Sequence, residues 1–295
     1  MLLLGSKKLN KKPFYFSIDF EDFTYDLTRS LGIEPLSNIP ALHLAYDVIN
    51  NFLEKNLSNP KVTFFTTGTV ARLAPDLLKQ ISNDGHEIAS HYNYHDLMFK
   101  QSNNEIEKNL IEAKESIYKA VGYEPLGFRA PVFSIPLERR DIFDVLKKHF
   151  KYDSSYVIHP SQNKFSNYKN EIPLNCNDFL EVPVFTKKYF LDKFQMKSGG
   201  TFLRFFSKKM LKDTMNHSYD NGYYPLVYLH PYDYLTGKEF WVTFDKFAQT
   251  KDLRNLIKYL RQIQWISIGN KSVFPKLKFL LESFEHQGPM MNLLD

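Results

Sequence analysis

The feature that most constrains the fold is a regular alternation of short β-rich runs with longer amphipathic runs. PFYFSID at 13–19 and KVTFFTTG at 61–68 are typical of buried strands, while ALHLAYDVINNFLEKN at 41–56 places its apolar residues at helical spacing. Strand and helix alternating in this way predict parallel βαβ units with right-handed crossovers. With about seven such units, we expect an α/β fold that forms a closed or nearly closed barrel rather than an open sheet.

The same patterns extend along the rest of the chain. Helices are predicted at 71–85, 103–122, 137–150, 202–219 and 244–262, and strands at 86–90, 126–133, 151–156, 179–185, 223–230 and 263–269. No repeat, low-complexity tract or glycine-serine linker divides the chain. We therefore predict a single domain over 1–295, with its motif core at about 13–235 and the helices of 236–295 packed on the barrel.

Charge, cysteine content and apolar runs indicate which binding partners and which cell compartment to expect. The net charge of +5 comes from scattered basic residues, which disfavours nucleic acid as a partner but is compatible with weak attraction to anionic lipid or phosphorylated carriers. The single cysteine, Cys176, excludes an internal disulfide and a multi-cysteine zinc site. The N-terminal MLLLGSKKLNKK is unlike a signal peptide, and no run approaches the ~18 apolar residues of a membrane span. We expect a cytoplasmic protein without stable membrane insertion, and the oligomeric state stays open.

Chemically reactive side chains follow the predicted strands. In a barrel, residues at the carboxyl ends of the strands meet on one rim, where barrel enzymes place their chemistry. The residues expected on this rim are Asp19, Glu21, Asp22, His91, His95, Arg129, Asp153 and His230.

His91 and His95 are four residues apart, and one helical turn would place both imidazoles on the same side for metal binding. His86 lies roughly 15 Å away along an extended strand, so we interpret it as structural. A catalytic divalent ion usually needs a third protein ligand, which the carboxylates of SIDFED could supply. Capping of a helix or solvation of a loop is the alternative role for those carboxylates.

Five motifs occur in the order of a known family. SIDFED, HEIASHYNYH, FRAPVF, YDSS and VYLHP resemble the motif set of the polysaccharide deacetylases, the NodB-homology carbohydrate esterases, over residues 13–235. The closest resemblance is to a subgroup with D-x-E-D and LHP. It implies a distorted (β/α)7 barrel that can be incomplete.

The resemblance also implies roles for individual residues. Asp19 matches the catalytic base, and His91 and His95 match two ligands of a divalent metal, for which zinc is the family's usual ion. Because Phe20 separates Asp19 from the next carboxylate, Glu21 is the first choice for the third ligand and Asp22 the alternative.

Two further motifs imply the groups that assist the base and the acid. Arg129 matches the arginine that orients the base, which would keep Asp19 ionised. His230 matches the general acid, and Asp153 matches its carboxylate partner. Contacts with substrate are expected at or beside a further set: Tyr92, Pro131, Gly200, Arg204 and Leu229.

The resemblance favours a metal-dependent N-deacetylase that hydrolyses an N-acylated amino sugar in surface polysaccharide biosynthesis. The sugar could be nucleotide-linked, lipid-linked or polymeric. Two alternatives remain open. One is a metal-independent hydrolase of cyclic amides or ureides. The other is a non-catalytic carbohydrate-binding relative that uses an aromatic rim, since the chain contains 26 Phe and 18 Tyr.

Overall fold

The structure is a computed structural model that describes residues 11–34, 36–158, 175–176, 179–191, 193–235, 237–250 and 253–295. The strands are β1 (Lys12–Phe20), β2 (Thr63–Thr66), β3 (Glu87–Ser90), β4 (Gly127–Phe128), β5 (Tyr152–Asp153), β6 (Val157–Ile158), β7 (Asn175–Cys176), β8 (Phe179–Glu181), β9 (Val184–Phe185), β10 (Lys187–Tyr189), β11 (Phe194–Met196), β12 (Leu226–Leu229) and β13 (Phe284–His286).

The α-helices are α1 (Phe23–Ser30), α2 (Ala41–Asn56), α3 (Gly68–Leu73), α4 (Pro75–Asn83), α5 (Asn103–Val121), α6 (Asp141–Leu146), α7 (Thr201–Phe205), α8 (Lys208–Asp220), α9 (Pro231–Tyr234), α10 (Phe244–Ala248), α11 (Leu256–Ser267) and α12 (Val273–Leu281). Short 3₁₀ turns cover Met98–Lys100, Pro131–Phe133, Leu137–Arg139, Leu253–Asn255, Asn270–Ser272 and Met290–Leu294. None of the described helices is long and apolar enough to cross a bilayer.

The centre of the molecule is a curled parallel sheet of seven strands in the order β12-β1-β2-β3-β4-β5-β8. β7 pairs antiparallel with β8, and β13 pairs with the start of β1. Within the described part of the chain, no pairing joins β8 to β12, so the barrel is incomplete. The predicted α/β fold with an incomplete barrel of parallel strands is therefore confirmed.

The sheet is buried on both faces because helices cover it. In β1 every residue from Phe14 to Phe20 is buried, which explains why this strand is a nearly continuous apolar run rather than an alternating one. The C-terminal part of the chain also contributes to the core: Phe274 of α12 stacks on Phe52 of α2 at 4.5 Å between ring centroids. The division into one domain over 1–295 stays a prediction.

Several predicted element boundaries are wrong. The predicted helix at 71–85 is two helices, because Pro75 starts α4 after the break at Ala74. The predicted helix at 202–219 is divided between α7 and α8, since the Ser207 side chain caps a new helix. The predicted helix at 137–150 is regular only over Asp141–Leu146, and the one at 244–262 is split between α10 and α11.

The predicted strand IQWISIG at 263–269 is also wrong, because most of this run is the second half of α11. Its aromatic and β-branched residues suggested a strand. However, the buried positions Tyr259, Gln262 and Ile266 recur at spacings of three and four residues, which is the period of a helix.

Candidate active site

Three potential metal ligands meet where β1 and β3 end. Glu21, His91 and His95 each offer one atom, and these atoms all lie within 4.8 Å of one another. The Nε2 atoms of His91 and His95 lie 3.3 and 2.9 Å from Glu21 Oε2. A carboxylate and two imidazoles are a donor set that suits zinc and other divalent transition metals.

The predicted helical turn from His91 to His95 is absent from the described segment, which is an irregular loop. Tyr92 adopts φ +70°, a left-handed conformation that turns the chain immediately after His91. The loop is held by the first residues of α3, because the backbone N–H groups of Gly68 and Thr69 donate to the carbonyls of Tyr92 and Asn93. The two histidines therefore meet through a tight turn rather than through helical periodicity.

The tautomer of His91 suits metal binding. Its Nδ1–H donates to the backbone carbonyl of Arg129 at 2.8 Å, so Nε2 keeps its lone pair and faces Glu21. A hydrogen bond from the other ring nitrogen is the usual way in which proteins orient a metal-binding imidazole.

The buried Glu21 carboxylate fits a cation better than it fits its protein neighbours. Both imidazoles lie within ion-pair distance of Oε2, which otherwise has no hydrogen-bond partner among the described residues. Although burial opposes its charge, the neighbouring His95 holds the pKa of Glu21 well below its ordinary value. Burial likewise opposes the charge of His95, yet Glu21 raises the pKa of His95 to about 9. An ionised, buried carboxylate thus faces two imidazole nitrogens, and this arrangement would hold a divalent ion.

Of the two carboxylates considered for the third ligand, the structure brings Glu21 to the histidines. Asp22 instead caps α1, where its Oδ1 accepts a hydrogen bond from the backbone N–H of Tyr25 at 2.8 Å. Burial raises the pKa of Asp22 to about 6. β1 ends at Phe20, so Glu21 and Asp22 lie in the turn that follows the strand. Their different positions therefore arise from this turn and not from the alternation of side chains along a strand.

Asp19 and Arg129 form a fully buried ion pair beside this cluster. Arg129 Nη1 lies 2.6 Å from Asp19 Oδ1, and both side chains are inaccessible to solvent. The guanidinium also donates to the hydroxyls of Ser17 and Ser154, and it lies over the Phe65 ring at 4.1 Å. These contacts fix the guanidinium in one orientation, and Asp19 with it.

His230 begins α9 directly after β12, and its carboxylate partner is Asp233. The Nδ1–H of His230 donates to Asp233 Oδ2 at 2.8 Å. Burial opposes protonation of His230, but Asp233 raises its pKa above the ordinary value. The predicted pairing with Asp153 is wrong, because Asp153 instead accepts a hydrogen bond from the Ser155 hydroxyl.

Two contacts connect His230 to the rest of the site. Its Nε2 lies 3.8 Å from Asp19 Oδ2. Tyr232 stacks on the imidazole at 4.8 Å between ring centroids and donates its hydroxyl to Glu21 Oε1 at 3.2 Å. Tyr232 and Asp233 were not among the residues predicted for the site. The signal for Asp233 was present in HPYD, since a carboxylate three residues after an N-terminal position is spaced to reach back to it.

Most side chains expected to contact substrate are buried elsewhere. Tyr92 donates its hydroxyl to Gln101, and Leu229 packs in the main core. Arg204 pairs with Asp233, with its Nε 2.8 Å from Asp233 Oδ1. Pro131 is also buried. These four side chains are therefore buried, and a contact of the neighbouring backbone with substrate stays a prediction.

Gly200 approaches the general-acid candidate closely. It adopts φ +54°, and a Cβ built there would lie 3.2 Å from His230 Cε1. A glycine therefore suits this position on two counts, its backbone conformation and its nearness to the imidazole.

Lys197 is a further charged residue at the site, and none of the motifs predicted it. Its Nζ lies 4.2 Å from the centroid of the Phe133 ring. Burial lowers the pKa of Lys197 to about 8, although the charge of Asp19 acts in the opposite direction. Together with Arg129, it adds positive charge to a site rich in carboxylates and imidazoles.

One family model and three known proteins are similar to this chain. Residues 45–149 match the family model described as polysaccharide deacetylase. The peptidoglycan-N-acetylglucosamine deacetylase of Bacillus cereus is 34% identical over 73 residues, which make up 25% of this chain and 26% of that protein. A second such deacetylase, from Listeria monocytogenes, is 32% identical over 73 residues, 25% of this chain and 16% of that protein. The matched segments thus span about a quarter or less of these relatives. A family 4 carbohydrate esterase from Streptomyces lividans, solved with acetate, superposes with a TM-score of 0.43 at 14% identity, covering 84% of this chain and 90% of that one.

Proposed function

We propose that this chain is an N-deacetylase of the polysaccharide deacetylase family, whose model matches residues 45–149, and that it hydrolyses the N-acyl group of an amino sugar. The observation that carries this proposal is the position of three groups at one strand edge. A candidate metal cluster, a buried carboxylate paired with arginine and an imidazole paired with aspartate lie side by side.

Amide hydrolysis needs a base to activate water, and Asp19 suits this role. Arg129 occupies Asp19 Oδ1, so Oδ2 faces the site and His230. Asp19 Oδ2 would accept a proton from water while the water oxygen attacks the acyl carbon.

The leaving nitrogen needs a proton, and His230 Nε2 would supply it. Because Nδ1 donates to Asp233, the second proton of the imidazolium lies on Nε2, which faces Asp19. As the carbon–nitrogen bond breaks, the nitrogen takes that proton and leaves as the free amine. The acyl group departs as the acid, so atoms and charges balance.

Glu21, His91 and His95 would hold a divalent ion, with zinc as the proposed metal. Such an ion supplies Lewis-acid chemistry, which polarises the acyl oxygen and makes water more acidic. The residues around it hold the ligands in place, chiefly through the bond from His91 to the Arg129 carbonyl.

For the substrate, we propose an N-acetylated amino sugar of a surface glycan. The Bacillus cereus and Listeria monocytogenes relatives are named as deacetylases of N-acetylglucosamine in peptidoglycan. A role in the biosynthesis of surface polysaccharide, with the enzyme in the cytoplasm, is part of this proposal.

The decisive experiment measures acetate release from a panel of polymeric, nucleotide-linked and lipid-linked N-acetyl sugars. We expect release by the zinc-loaded protein, and a loss of at least about a hundredfold in Asp19→Asn, because a general base contributes that much or more. Absence of release from the whole panel would contradict the proposal. Sugar binding without release would instead favour a non-catalytic relative.

Metal binding is measured in the same preparations by calorimetric titration with zinc. Glu21→Gln should weaken binding by at least about tenfold, because a neutral amide replaces the charged ligand. Asp22→Asn is the matched control and should bind zinc as the parent does. Full activity in the presence of a chelator would favour the metal-independent hydrolase.

A further inference from the structure

The outer side of α11 carries an apolar face that no described element covers. Its buried side packs inward through Tyr259, Gln262 and Ile266. On the outer side, Ile257 is 70% exposed, Leu260 49% and Ile263 45%. These side chains recur at spacings of three residues, so they form a continuous apolar face along the helix. Large apolar side chains exposed side by side usually mark an interaction surface.

The charged residues of α11 itself have one sign. Lys258 and Arg261 are exposed on the same helix, next to the apolar residues. In the sequence, the whole stretch 253–281 contains basic residues but no aspartate or glutamate. The charges that this stretch itself contributes are therefore all positive.

We propose that α11 docks on an anionic lipid bilayer. An amphipathic helix with apolar residues on one side and basic residues beside them lies in the plane of the membrane interface, where both groups find favourable partners. The apolar residues enter the acyl boundary. The positive charges of Lys258, whose Nζ donates to the Ser30 carbonyl, and of Arg261, which lies over the Trp265 ring, attract the lipid phosphates. Because the helix spans only Leu256–Ser267, it lies on the membrane surface rather than crossing it.

Charge disfavours a second copy of this chain as the occupant. In a two-fold symmetric dimer through this face, the same patch would meet itself. The basic residues around α11 would then approach their equivalents without nearby acidic residues of the same stretch to neutralise them. An anionic lipid surface removes that repulsion and provides complementary charge.

The docking helix lies close to the candidate active site. Trp265 of α11 packs against Phe23 at 5.5 Å between ring centroids, and Phe23 packs against Tyr232 at 5.1 Å. Tyr232 in turn stacks on His230. Docking through α11 would therefore hold the site near the bilayer, where a sugar on a lipid carrier is presented. The docking itself does not rest on the proposed deacetylase activity.

The test is co-sedimentation of the full chain with phosphatidylcholine vesicles, with and without phosphatidylglycerol. We expect strong binding only to the vesicles that contain phosphatidylglycerol, with loss of binding at high salt. The double variant Ile257→Gln/Leu260→Gln should lower partitioning by about tenfold or more, since it removes the apolar area that leaves water on docking.

The matched control changes two exposed apolar residues of α5, where acidic residues are neighbours. Ile111 and Tyr118 are 42% and 53% exposed, so Ile111→Gln/Tyr118→Gln removes a similar surface and should bind vesicles like the parent. Circular dichroism and thermal melting establish that both variants fold. The proposal is overturned if the parent ignores phosphatidylglycerol, or if the α11 variant binds like the parent. A dimer in sedimentation velocity that the α11 variant abolishes, without vesicle binding, would assign the face to self-association instead.

Discussion

At the scale of single residues, the choice of partner decides what His230 can do. Asp153 and Asp233 are both buried carboxylates near the strand ends, but only Asp233 contacts the imidazole. Arg204 lies against the second oxygen of Asp233, so this carboxylate is held between a guanidinium and the imidazole. His230, the proposed general acid, is therefore positioned by Asp233, three residues later in the chain.

Asp233→Asn should impair the acid step and shift its pH dependence. A general acid works only while protonated, so activity falls as the pH rises through its pKa. Removing the Asp233 charge lowers the pKa of His230, and the alkaline limb of the kcat profile should move to lower pH, with a drop in kcat of about tenfold or more. The measurement is kcat against pH for acetate release.

Asp153→Asn is the comparison variant for that measurement. It should leave the position of the alkaline limb unchanged, because Asp153 binds Ser155 and not His230. An equal shift in both variants would contradict the assignment of Asp233 as the partner.

At the scale of elements, the N-terminus of α3 holds the loop that carries the two histidines. Gly68 donates its backbone N–H to Tyr92, and a Cβ on Gly68 would lie 2.5 Å from Asn93 Oδ1 and 3.1 Å from the backbone of Ala113. Helix and loop approach so closely that only glycine fits between them. The separation between His91 and His95 thus depends on an element in another part of the sequence.

Gly68→Ala should lower both stability and metal affinity. The added methyl group forces the loop or α5 to shift, at a cost of about 1–3 kcal/mol in the free energy of unfolding. Because the shift reaches the ligand loop, zinc binding should weaken as well. Urea unfolding and calorimetric zinc titration measure the two effects.

Gly222→Ala is the control for a stability loss without a site effect. Gly222 adopts φ +82° with nothing within 4 Å of its Cβ position, so alanine there strains only the backbone, at about 1 kcal/mol. Zinc affinity should stay at the parent value in this variant. Unchanged zinc affinity in Gly68→Ala would refute the role assigned to the α3 N-terminus.

At the scale of the whole molecule, His86 connects three segments through a neutral imidazole. Its Nδ1 accepts from the backbone N–H of Val62 before β2, and its Nε2 faces Asn50 Oδ1 of α2, both at 3.2 Å. Burial lowers the pKa of His86 to about 4. His86 is therefore structural, as its position at the start of β3 predicts.

Stability should fall as the protein is acidified, in part because of His86. Its folded pKa lies below the value of about 6.5 in the unfolded chain, so its contribution is complete above pH ~6.5 and disappears as the pH falls towards ~4. The corresponding loss in the free energy of unfolding is about 3 kcal/mol. The measurement is urea unfolding between pH 7.5 and pH 4 for the parent and His86→Asn, which cannot take up this proton.

The difference in pH dependence between the parent and His86→Asn isolates the contribution of His86 to the free energy of unfolding. Asp22, whose raised pKa acts in the opposite direction, is common to both and cancels. Identical pH dependence in parent and variant would show that His86 stays unprotonated on unfolding or is already protonated in the fold.

The sequence by itself determined the class of fold and the motifs of the candidate site. Hydrophobic periodicity is a local property, so the alternation of β1, α2, β2 and β3 could be predicted from runs of a few residues. Placing Asp19, His91, Arg129 and His230 at one edge followed from the same alternation, because parallel strands end together.

Only the tertiary structure decided which side chains are partners. Glu21 rather than Asp22 meets the histidines, and Asp233 rather than Asp153 meets His230, because each choice depends on distances between strand ends and loops that no local pattern encodes. The helical identity of 263–267 and the exposure of Ile257 were likewise decided by which face of α11 found a covering element. Local sequence specifies the period at which apolar residues recur in a segment. Which of those side chains are buried depends on all the elements that pack against the segment.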